Sequence, residues 1–403
     1  MEVTRMNRED FPMLKQDIIY MDSCATSLKP KCVIDKMTEY YEEYSANAHR
    51  GDYDISYKVD QEIANTRNLV KDFINAEKTE EIVFTSGTTE SLNMIANGFF
   101  SWLLEPEDEI LITKSEHASN VLPWFRLAKE TGCKIRYIDL DSNGYVTMEN
   151  VVKAVTPQTK VISLAHMTNV LGDKRPIKEI CEFAHERDIF VVVDGAQSLP
   201  HIKVDVRDLD VDFLAFSAHK MLGPTGLGVL YGKEELLDKL IPTNLGGGMN
   251  ESFDNEDEVY LKELPAKLEA GTINIAAIIG FGEAIKYLNN IGLDVIEKRE
   301  RLLREYLVNE LIHIPHLDIL NLESDSGIVT FNVDGIFSQD VAYYLNKYGI
   351  CVRAGNHCAK MLKEQVKVTN SVRVSLYFYN TEAEIDELVE LLKNKDKILR
   401  EML

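Results

Sequence analysis

The sequence lacks the long apolar segments of membrane proteins and secreted precursors. No run of roughly 18 apolar residues occurs among its 403 residues, so no transmembrane helix is predicted. Residues 1–10 also lack the apolar core of a signal peptide. We therefore expect a cytoplasmic protein that makes no contact with membranes.

Cysteine pairs and an excess of basic charge are missing as well. The chain has 44 Lys and Arg against 66 Asp and Glu, and this net charge of −22 argues against non-specific binding to nucleic acid. Its cysteines form no C-x-x-C pair, and a large chain without a secretion signal is expected to keep them reduced. Neither a disulfide framework nor a metal site is predicted. The six cysteines are Cys24, Cys32, Cys133, Cys181, Cys351 and Cys358.

What the sequence does contain is a regular alternation of apolar runs and helical segments from about Glu81 onward. Most of the runs are apolar rather than alternating, and helical segments such as Ser91–Leu104 and Ile177–Arg187 separate them. This pattern predicts an α/β fold with a mostly parallel, doubly wound sheet, whose sites lie beyond the carboxyl ends of the strands. The predicted strands are Glu81–Thr85, Glu109–Thr113, Lys134–Ile138, Lys160–Ala165, Ile189–Val193, Phe213–Phe216 and Gly228–Tyr231.

The pattern changes after about Gly292. A long charged helix is predicted at Leu293–Leu311, and Thr381 with Glu384 forms the capping-box pattern of a last helix. We predict a large domain over residues 17–291 and a smaller α+β domain over 292–403, with residues 1–16 packed on the smaller one. Its other predicted elements are strands at Ile328–Val333, Ile350–Arg353 and Val372–Leu376 and a helix at Gln339–Tyr348.

Two charged residues follow strands of the predicted sheet. Asp194 ends one apolar run, and Lys220 comes shortly after the run Phe213–Phe216. A lysine at the mouth of a buried sheet is costly unless it has a chemical role, and burial lowers its pKa, which favours imine formation. A covalent bond to pyridoxal phosphate supplies such a role, with Asp194 beside the ring nitrogen. The alternatives are a surface lysine and, for Asp194, a helix cap or metal ligand.

Two further segments at strand ends carry polar side chains. Thr85–Glu90 leads from a strand into a helix, where free backbone N–H groups and hydroxyls can bind a phosphate; the alternative is an ordinary helix cap. His117 follows another strand and could stack on a flat ring and relay protons, although a lone histidine is more often structural.

Several motifs together resemble a fold-type I pyridoxal-phosphate enzyme of the class V aminotransferase family. The opening motif Tyr20–Ser27 and the segment Glu269–Asn274 are similar to motifs of that family. Ala46–Gly51 and Arg353–Ala359 resemble its group II, SufS-like cysteine desulfurases. The resemblance covers nearly the whole chain, from about Ile18 to the last helix.

The resemblance implies a role for each matching residue around the cofactor. Lys220 would carry pyridoxal phosphate and Asp194 would hold its ring nitrogen. Gln197 and Asn169 would contact the phenolic oxygen, and His117 would stack on the ring and relay protons. The phosphate would be bound by Thr88, Thr89, Ser217, His219 and, from the other subunit of a homodimer, Thr272.

The resemblance also implies a reaction. L-cysteine would become L-alanine, and Cys358 would take the sulfur as a persulfide. Arg373, assisted by Arg353 and His49, would bind the substrate. An acceptor protein of the SufE or SufU kind would then draw off the sulfur for iron–sulfur cluster assembly.

Some residues depart from the family pattern, and other functions stay open at this point. Cys24 stands in the opening motif where alanine is frequent, and Ile273 stands where proline is common. The same residues would serve a selenocysteine lyase acting on L-selenocysteine. Another class V aminotransferase or epimerase would not need Cys358, and a cofactor-free scaffold or nucleotide-binding protein would not need Lys220.

Overall fold

The computed structural model describes residues 7–48, 51–254 and 258–402, and its strands and helices alternate along most of that length. The strands are β1 (Ile19–Tyr20), β2 (Ile82–Thr85), β3 (Glu109–Thr113), β4 (Lys134–Ile138), β5 (Thr159–Ala165), β6 (Phe190–Asp194), β7 (Phe213–Ser217), β8 (Gly228–Gly232), β9 (Asn250–Phe253), β10 (Val259–Leu261), β11 (Leu317–Ile319), β12 (Ile328–Val333), β13 (Ile350–Cys351), β14 (Arg353–Gly355) and β15 (Ser371–Ser375).

The helices connect these strands and cover both faces of the larger sheet. They are α1 (Lys31–Glu43), α2 (Asp54–Phe73), α3 (Thr88–Met94), α4 (Ser101–Leu103), α5 (Leu122–Thr131), α6 (Met148–Ala154), α7 (Ile177–His185), α8 (Val206–Leu209), α9 (Glu234–Lys239), α10 (Ile275–Ile291), α11 (Leu293–Leu311), α12 (Ser338–Asn346), α13 (Lys363–Val366), α14 (Glu382–Leu392) and α15 (Lys395–Met402). A π-helical stretch, Ile95–Phe100, joins α3 to α4.

The large sheet has seven strands in the order β2-β8-β7-β6-β5-β3-β4. Only β8 runs antiparallel to its neighbours, so the predicted mostly parallel α/β sheet is confirmed. Its central strands are buried over most of their length, because helices cover both faces, and this explains why the sequence shows continuous apolar runs there. All seven predicted strands are present, with ends that differ by a residue or so.

A second, antiparallel sheet of order β11-β12-β15-β14 forms the carboxyl-terminal part of the structure. The long helix α11 begins and ends where the sequence predicted it, and α14 begins with the predicted capping box of Thr381 and Glu384. The predicted strand Ile350–Arg353 is divided, because β13 pairs with β1 whereas β14 joins the second sheet.

The first described residues contact both parts of the chain. Arg8 forms an ion pair of 2.7 Å with Glu384 on α14, and the ring of Phe11 lies against Tyr379 after β15 and Tyr287 on α10. The domain boundary near residue 291 stays a prediction. Among the residues that the structure describes, no helix combines the length and apolar character needed to cross a membrane.

Candidate active site

One cavity lies beyond the carboxyl ends of the parallel strands, at the edge of the sheet where the sequence predicted a site. Twelve of the fourteen predicted site residues line it. They are Thr88, Thr89, His117, Asn169, Asp194, Gln197, Ser217, His219, Lys220, Arg353, Cys358 and Arg373.

Thr272 is not part of this cavity. Thr272 is exposed in a separate groove, where the side-chain amide of Asn47 donates a hydrogen bond of 3.3 Å to its hydroxyl. His49 lies outside the described residues.

Asp194 and Lys220 come from adjacent strands of the sheet. Asp194 ends β6, whose partner β7 leads through a tight 3-10 turn, Ala218–Lys220, to the lysine. Asp194 is buried, accepts a hydrogen bond of 2.9 Å from the backbone N–H of Ala196, and has its pKa raised to about 6 by burial. Burial lowers the pKa of Lys220, whereas the negative charge of Asp194 raises it. The amine is therefore available in its neutral, nucleophilic form more readily than a surface lysine.

A cluster of hydroxyl and backbone N–H groups forms one corner of the cavity at the start of α3. The Ser217 hydroxyl accepts a hydrogen bond of 2.9 Å from the N–H of Thr88 and lies 2.7 Å from the Thr88 hydroxyl. Gly228 on β8 permits this close packing, because a Cβ there would lie 2.4 Å from the Cα of Gly87. Gly87 itself has a φ of +155°. Such a helix start suits an anionic group such as a phosphate.

His117 is held as a neutral imidazole. Its Nδ1 accepts a hydrogen bond of 3.1 Å from the backbone N–H of Ser119, and burial together with the nearby charge of Lys220 lowers its pKa to about 4. The neutral ring therefore carries its proton on Nε2. The Ser119 hydroxyl lies 3.1 Å from Nδ1 and 2.7 Å from the Thr89 hydroxyl, which fixes the ring orientation.

Cys358 lies on a short loop that the large sheet holds from two sides. The backbone N–H of Ala118 donates to the carbonyl of Cys358 at 2.8 Å, and the side-chain amide of Asn169 donates to the carbonyl of His357 at 2.7 Å. Both His357 and Cys358 adopt left-handed backbone, with φ of 49° and 61°. The thiol is exposed at the mouth of the cavity, whereas His357 is buried against Ser371.

Arg373 on β15 lies at the base of the same region. Its two terminal nitrogens donate to the carbonyl of Asn169 at 2.9 Å and to the carboxylate of Asp22 at 3.0 Å. Three buried polar atoms in this cavity have no hydrogen-bond partner among the described residues: Nε of Arg373, Oε1 of Gln197 and Nδ1 of His357. Unpaired buried polar atoms are rare in folded proteins, so a polar ligand is expected here.

Sequence reasoning missed a buried ion cluster beneath the cavity. The Arg175 guanidinium contacts Glu116, next to His117, and donates to the hydroxyl of Ser115 at 2.7 Å. The second oxygen of Glu116 accepts the N–H of Ala165 at 2.8 Å, so the cluster ties the end of β5 to the His117 loop. A single Glu beside a candidate histidine was the only signal in the sequence.

A second unpredicted contact holds the turn before Lys220. The carbonyl oxygen of His219 receives hydrogen bonds from Lys29 Nζ at 2.8 Å, the Thr26 hydroxyl at 3.0 Å and the Ser27 N–H at 3.1 Å. The side-chain hydroxyl of Ser27 lies 3.1 Å from the same oxygen. These residues continue the opening motif, so that motif positions the lysine-bearing turn.

Comparison with known proteins identifies the family. The family described as Aminotransferase class-V matches residues 19–388. The chain belongs to the class V aminotransferase family.

Relatives within this family are similar over nearly their whole length. The chain is 43% identical to a "Probable cysteine desulfurase" of Halalkalibacterium halodurans, with 95% of each chain covered, and 38% identical to a "Cysteine desulfurase" of Haloferax volcanii, with 96% and 95% covered. Among solved structures, the cysteine desulfurase CsdA (S-sulfonic acid) from Escherichia coli is 34% identical with a TM-score of 0.92. An apo cysteine desulfurase from Thermococcus onnurineus NA1 is 37% identical with a TM-score of 0.93. In both structures 98% of each chain is covered.

Pyridoxal phosphate is the cofactor of this class V chain. The cavity fits it, because a buried acid and a lysine of lowered pKa lie at the ends of adjacent strands, and a helix start lined by hydroxyls lies beside them. The unpartnered side-chain atoms of Gln197 and Arg373 provide further polar groups for a bound ligand.

Proposed function

We propose that the chain is a pyridoxal-phosphate-dependent cysteine desulfurase of the SufS-like branch. In this proposal it converts L-cysteine to L-alanine and collects the sulfur on Cys358. The observation that carries the proposal is that a single cavity brings together Asp194, Lys220 and an exposed cysteine. An ordinary amino-group transfer would use the first two but would not need the third.

The cofactor would be held by residues at the ends of four strands, β2, β5, β6 and β7. Lys220 would bind it covalently, and Asp194 would hold its ring nitrogen in the protonated form. Gln197 and Asn169 would bind its phenolic oxygen. Asn169 already donates one amide hydrogen to His357, which leaves it a second for this contact. Thr88, Thr89, Ser217 and His219 would bind its phosphate.

The bound cofactor withdraws electrons from the substrate and thereby weakens its C–S bond. Lys220, as a neutral amine, and His117, with a proton on Nε2, move protons between the substrate carbons and sulfur. The Cys358 thiolate attacks the substrate sulfur, so that an S–S bond forms while the C–S bond breaks. The electron pair of the C–S bond and a proton remain on the carbon, which gives alanine and a persulfide with no added oxidant or reductant.

The substrate carboxylate is bound by arginine at the base of the cavity. Arg373 is fixed there by Asp22 and keeps a free Nε, while Arg353 is exposed and forms no ion pair with any described residue. Guanidinium groups recognise carboxylates through paired hydrogen bonds. His49 joins them in this proposal.

The active unit is proposed to be a homodimer. Thr272 is exposed and separated from the cavity of its own chain, which suits a residue that completes the phosphate site of a second subunit. The sulfur then passes to an acceptor protein of the SufE or SufU kind, for iron–sulfur cluster assembly.

Mass spectrometry after incubation with L-cysteine tests the proposal. We expect the wild-type protein to gain one or more sulfur atoms on Cys358 and to release L-alanine. Cys358→Ser should lose both, whereas Cys32→Ser, which changes a half-buried thiol on α1, should lose neither. Sulfur on another cysteine with Cys358 unmodified contradicts the proposal, as does alanine release from L-selenocysteine alone.

A further inference from the structure

The chain between β5 and α7 folds back on itself in a short hairpin, residues 166–175, which we term the Asn169 hairpin because its turn begins at that residue. At its base the backbone N–H of Arg175 donates to the carbonyl of His166 at 2.9 Å. An antiparallel bridge one residue closer to the turn continues the pairing. Arg175 and Asn169 therefore lie at opposite ends of one hydrogen-bonded element.

The side chain of Arg175 leaves the hairpin and reaches the segment that precedes His117. Its guanidinium forms an ion pair with Glu116, and it donates to the hydroxyl of Ser115 at 2.7 Å and to the hydroxyl of Thr113 at 3.2 Å. The guanidinium and the Glu116 carboxylate are both completely buried. One side chain therefore crosslinks the base of the Asn169 hairpin to the loop that carries His117.

The same crosslink balances buried negative charge. A carboxylate oxygen of Asp173, also in the hairpin, lies 3.5 Å from Nε of Arg175 and receives no other cation, while its second oxygen accepts the Thr168 hydroxyl across the hairpin. Among the residues that the structure describes, Arg175 is the only cation that forms an ion pair with Glu116 or Asp173. Because an unpaired buried carboxylate is costly, both segments depend on this guanidinium.

The two crosslinked segments are also the two that hold the Cys358 loop. From the loop that carries His117, the N–H of Ala118 donates to the carbonyl of Cys358 at 2.8 Å. From the hairpin turn, the side-chain amide of Asn169 donates to the carbonyl of His357 at 2.7 Å. Two adjacent carbonyl groups are thus held from two separate segments, so the position of the thiol depends on how those segments lie relative to each other.

The arginine assigned to the substrate carboxylate depends less on the hairpin. One terminal nitrogen of Arg373 donates to the carbonyl of Asn169 at 2.9 Å, but the other donates to the carboxylate of Asp22 at 3.0 Å. Asp22 belongs to neither crosslinked segment, so it anchors this guanidinium independently of Arg175. A shift of the hairpin should therefore displace the thiol more than the carboxylate site.

We propose that Arg175 is a positioning residue for the sulfur-accepting thiol: by joining the Asn169 hairpin to the loop that carries His117, it sets the distance from Cys358 to the substrate. The inference rests on the proposed function, because it assumes that Cys358 takes the sulfur. Arg175 is not among the described residues that line the cavity, so it acts through the two segments that it joins. Its planar fork of donors is required, since one nitrogen alone cannot reach all of these partners.

Arg175→Lys tests the inference in the cofactor-loaded enzyme, because it keeps the positive charge and removes the fork. We expect kcat for alanine release from L-cysteine to fall on the order of 10²-fold, since a small displacement of a reacting group is enough to slow the reaction. KM should change by less than about threefold, since the groups assigned to substrate binding remain. The absorbance change of the bound cofactor on adding L-cysteine should persist.

Hydrogen exchange measured by mass spectrometry reads the loop position without turnover. The amide of Ala118 donates to the carbonyl of Cys358, so its exchange reports directly on that contact. In the cofactor-loaded protein without substrate, peptides covering residues 116–121 and 356–362 should exchange on the order of tenfold faster in Arg175→Lys than in the wild type.

Arg304→Lys is the matched control for trimming a buried guanidinium. Arg304 on α11 is 3% exposed and donates to the carbonyls of Asn321 and Ile328, outside both crosslinked segments. This variant should lower the free energy of unfolding while kcat and the exchange of both peptides stay at their wild-type values.

Thr113→Val is a milder variant that changes no charge, and it tests the inference even where Arg175→Lys fails to fold. The Thr113 hydroxyl accepts from Arg175 and donates to Glu116 at 2.7 Å. Its loss should lower kcat about threefold and quicken exchange of the same two peptides, with KM unchanged.

Failure of the inference and failure of the proposed function give different results. A wild-type protein that gains no sulfur on Cys358 contradicts the function itself, and the inference falls with it. Where the wild type does gain that sulfur, wild-type kcat and exchange in Arg175→Lys and Thr113→Val overturn the inference alone. It is also overturned by a rise in KM with kcat unchanged, which assigns Arg175 to substrate binding, and by equal losses of kcat in Arg304→Lys, which indicate general loosening of the fold.

Discussion

The lysine end and the cysteine end of the cavity are built in opposite ways. Lys220 follows a central strand of the large sheet, its turn is held by the opening motif, and burial lowers its pKa. Cys358 is exposed on a loop of the second sheet with left-handed backbone, and the large sheet holds it through two hydrogen bonds to carbonyl oxygens.

This difference follows from what each side chain must reach. In the proposed reaction Lys220 contacts only the cofactor and substrate, so a rigid and dry site is an advantage for orientation and for the neutral amine. Cys358 must contact the substrate on one side and a second protein on the other, which requires exposure. The two ends therefore differ in how much a substitution should disturb the fold and the chemistry.

The largest effect is expected from Lys220→Ala. Loss of the covalent attachment and of the proton-transferring amine should reduce alanine formation on the order of 10³-fold or more. After borohydride reduction and denaturation, the cofactor should no longer remain covalently attached to Lys220→Ala, whereas it should remain attached to Lys29→Ala. Alanine formation at the wild-type rate in Lys220→Ala would contradict the chemical role that separates the lysine end from the cysteine end.

Asp194→Asn tests the buried end through stability. In the folded protein, burial raises the pKa of Asp194 from an ordinary value of 3.8 to about 6. Below pH 3.8 the carboxyl is protonated in both the folded and the unfolded protein, so it does not change the free energy of unfolding. As the pH rises from 3.8 to about 6 the carboxyl ionises more readily in the unfolded protein, so the cofactor-free folded protein is destabilised. The Asn variant should therefore be more stable by about 3 kcal/mol at pH 8 and equal at pH 3.5.

Thermal or urea unfolding of the cofactor-free proteins measures this difference. With cofactor bound, the order should reverse at neutral pH, because the amide cannot hold the ring nitrogen protonated. Asp188→Asn, at an exposed position, should leave the free energy of unfolding unchanged. A cofactor-free Asn variant less stable than the wild type at pH 8 contradicts the prediction.

Lys29→Met tests how the opening motif positions Lys220. Removing the ammonium group that donates to the His219 carbonyl should slow alanine formation about tenfold, the effect of losing one hydrogen bond to a charged group. The pH titration of the bound cofactor's absorbance should shift, since the lysine-bearing turn moves. Lys29→Arg keeps the cation and should recover part of the rate, whereas an unshifted titration in Lys29→Met contradicts a positioning role.

The smallest effect is expected from Ser371→Ala at the exposed end. The hydroxyl lies 3.0 Å from Nε2 of His357, and its loss should weaken the Cys358 loop by about 1 kcal/mol. Hydrogen exchange of residues 356–360 should quicken about fivefold with little change in global unfolding. Ser324→Ala, remote from this loop, serves as the control; equal exchange in both variants would show that other contacts hold the loop.

Most of the large sheet could be predicted from the sequence because its strands are buried on both faces. Continuous apolar runs such as Val191–Val193 leave little choice of element, and Asp194 and Lys220 then fall at the same edge by topology alone. Cys358 could be placed only through the resemblance, because exposed loop residues carry no periodic pattern.

Contacts between distant segments could not be predicted. The pairing of Glu116 with Arg175 and of Lys29 with the His219 carbonyl depends on how loops fold over one another, and no local spacing reveals it. The division of the predicted strand at Ile350–Arg353 has the same origin, since β13 pairs with the amino-terminal β1. A local sequence pattern can predict that a strand forms, but the strand with which it pairs depends on the assembled fold.

The pairing of β1 with β13 also affects the order in which parts of the chain fold during synthesis. Ile19 emerges from the ribosome long before its strand partner Ile350, because all strands of the large sheet lie between them in the chain. Closing so long a loop is slow, and the apolar amino-terminal strand remains unpaired until then. Assembly of the part that carries Cys358 is therefore expected to follow formation of the large sheet.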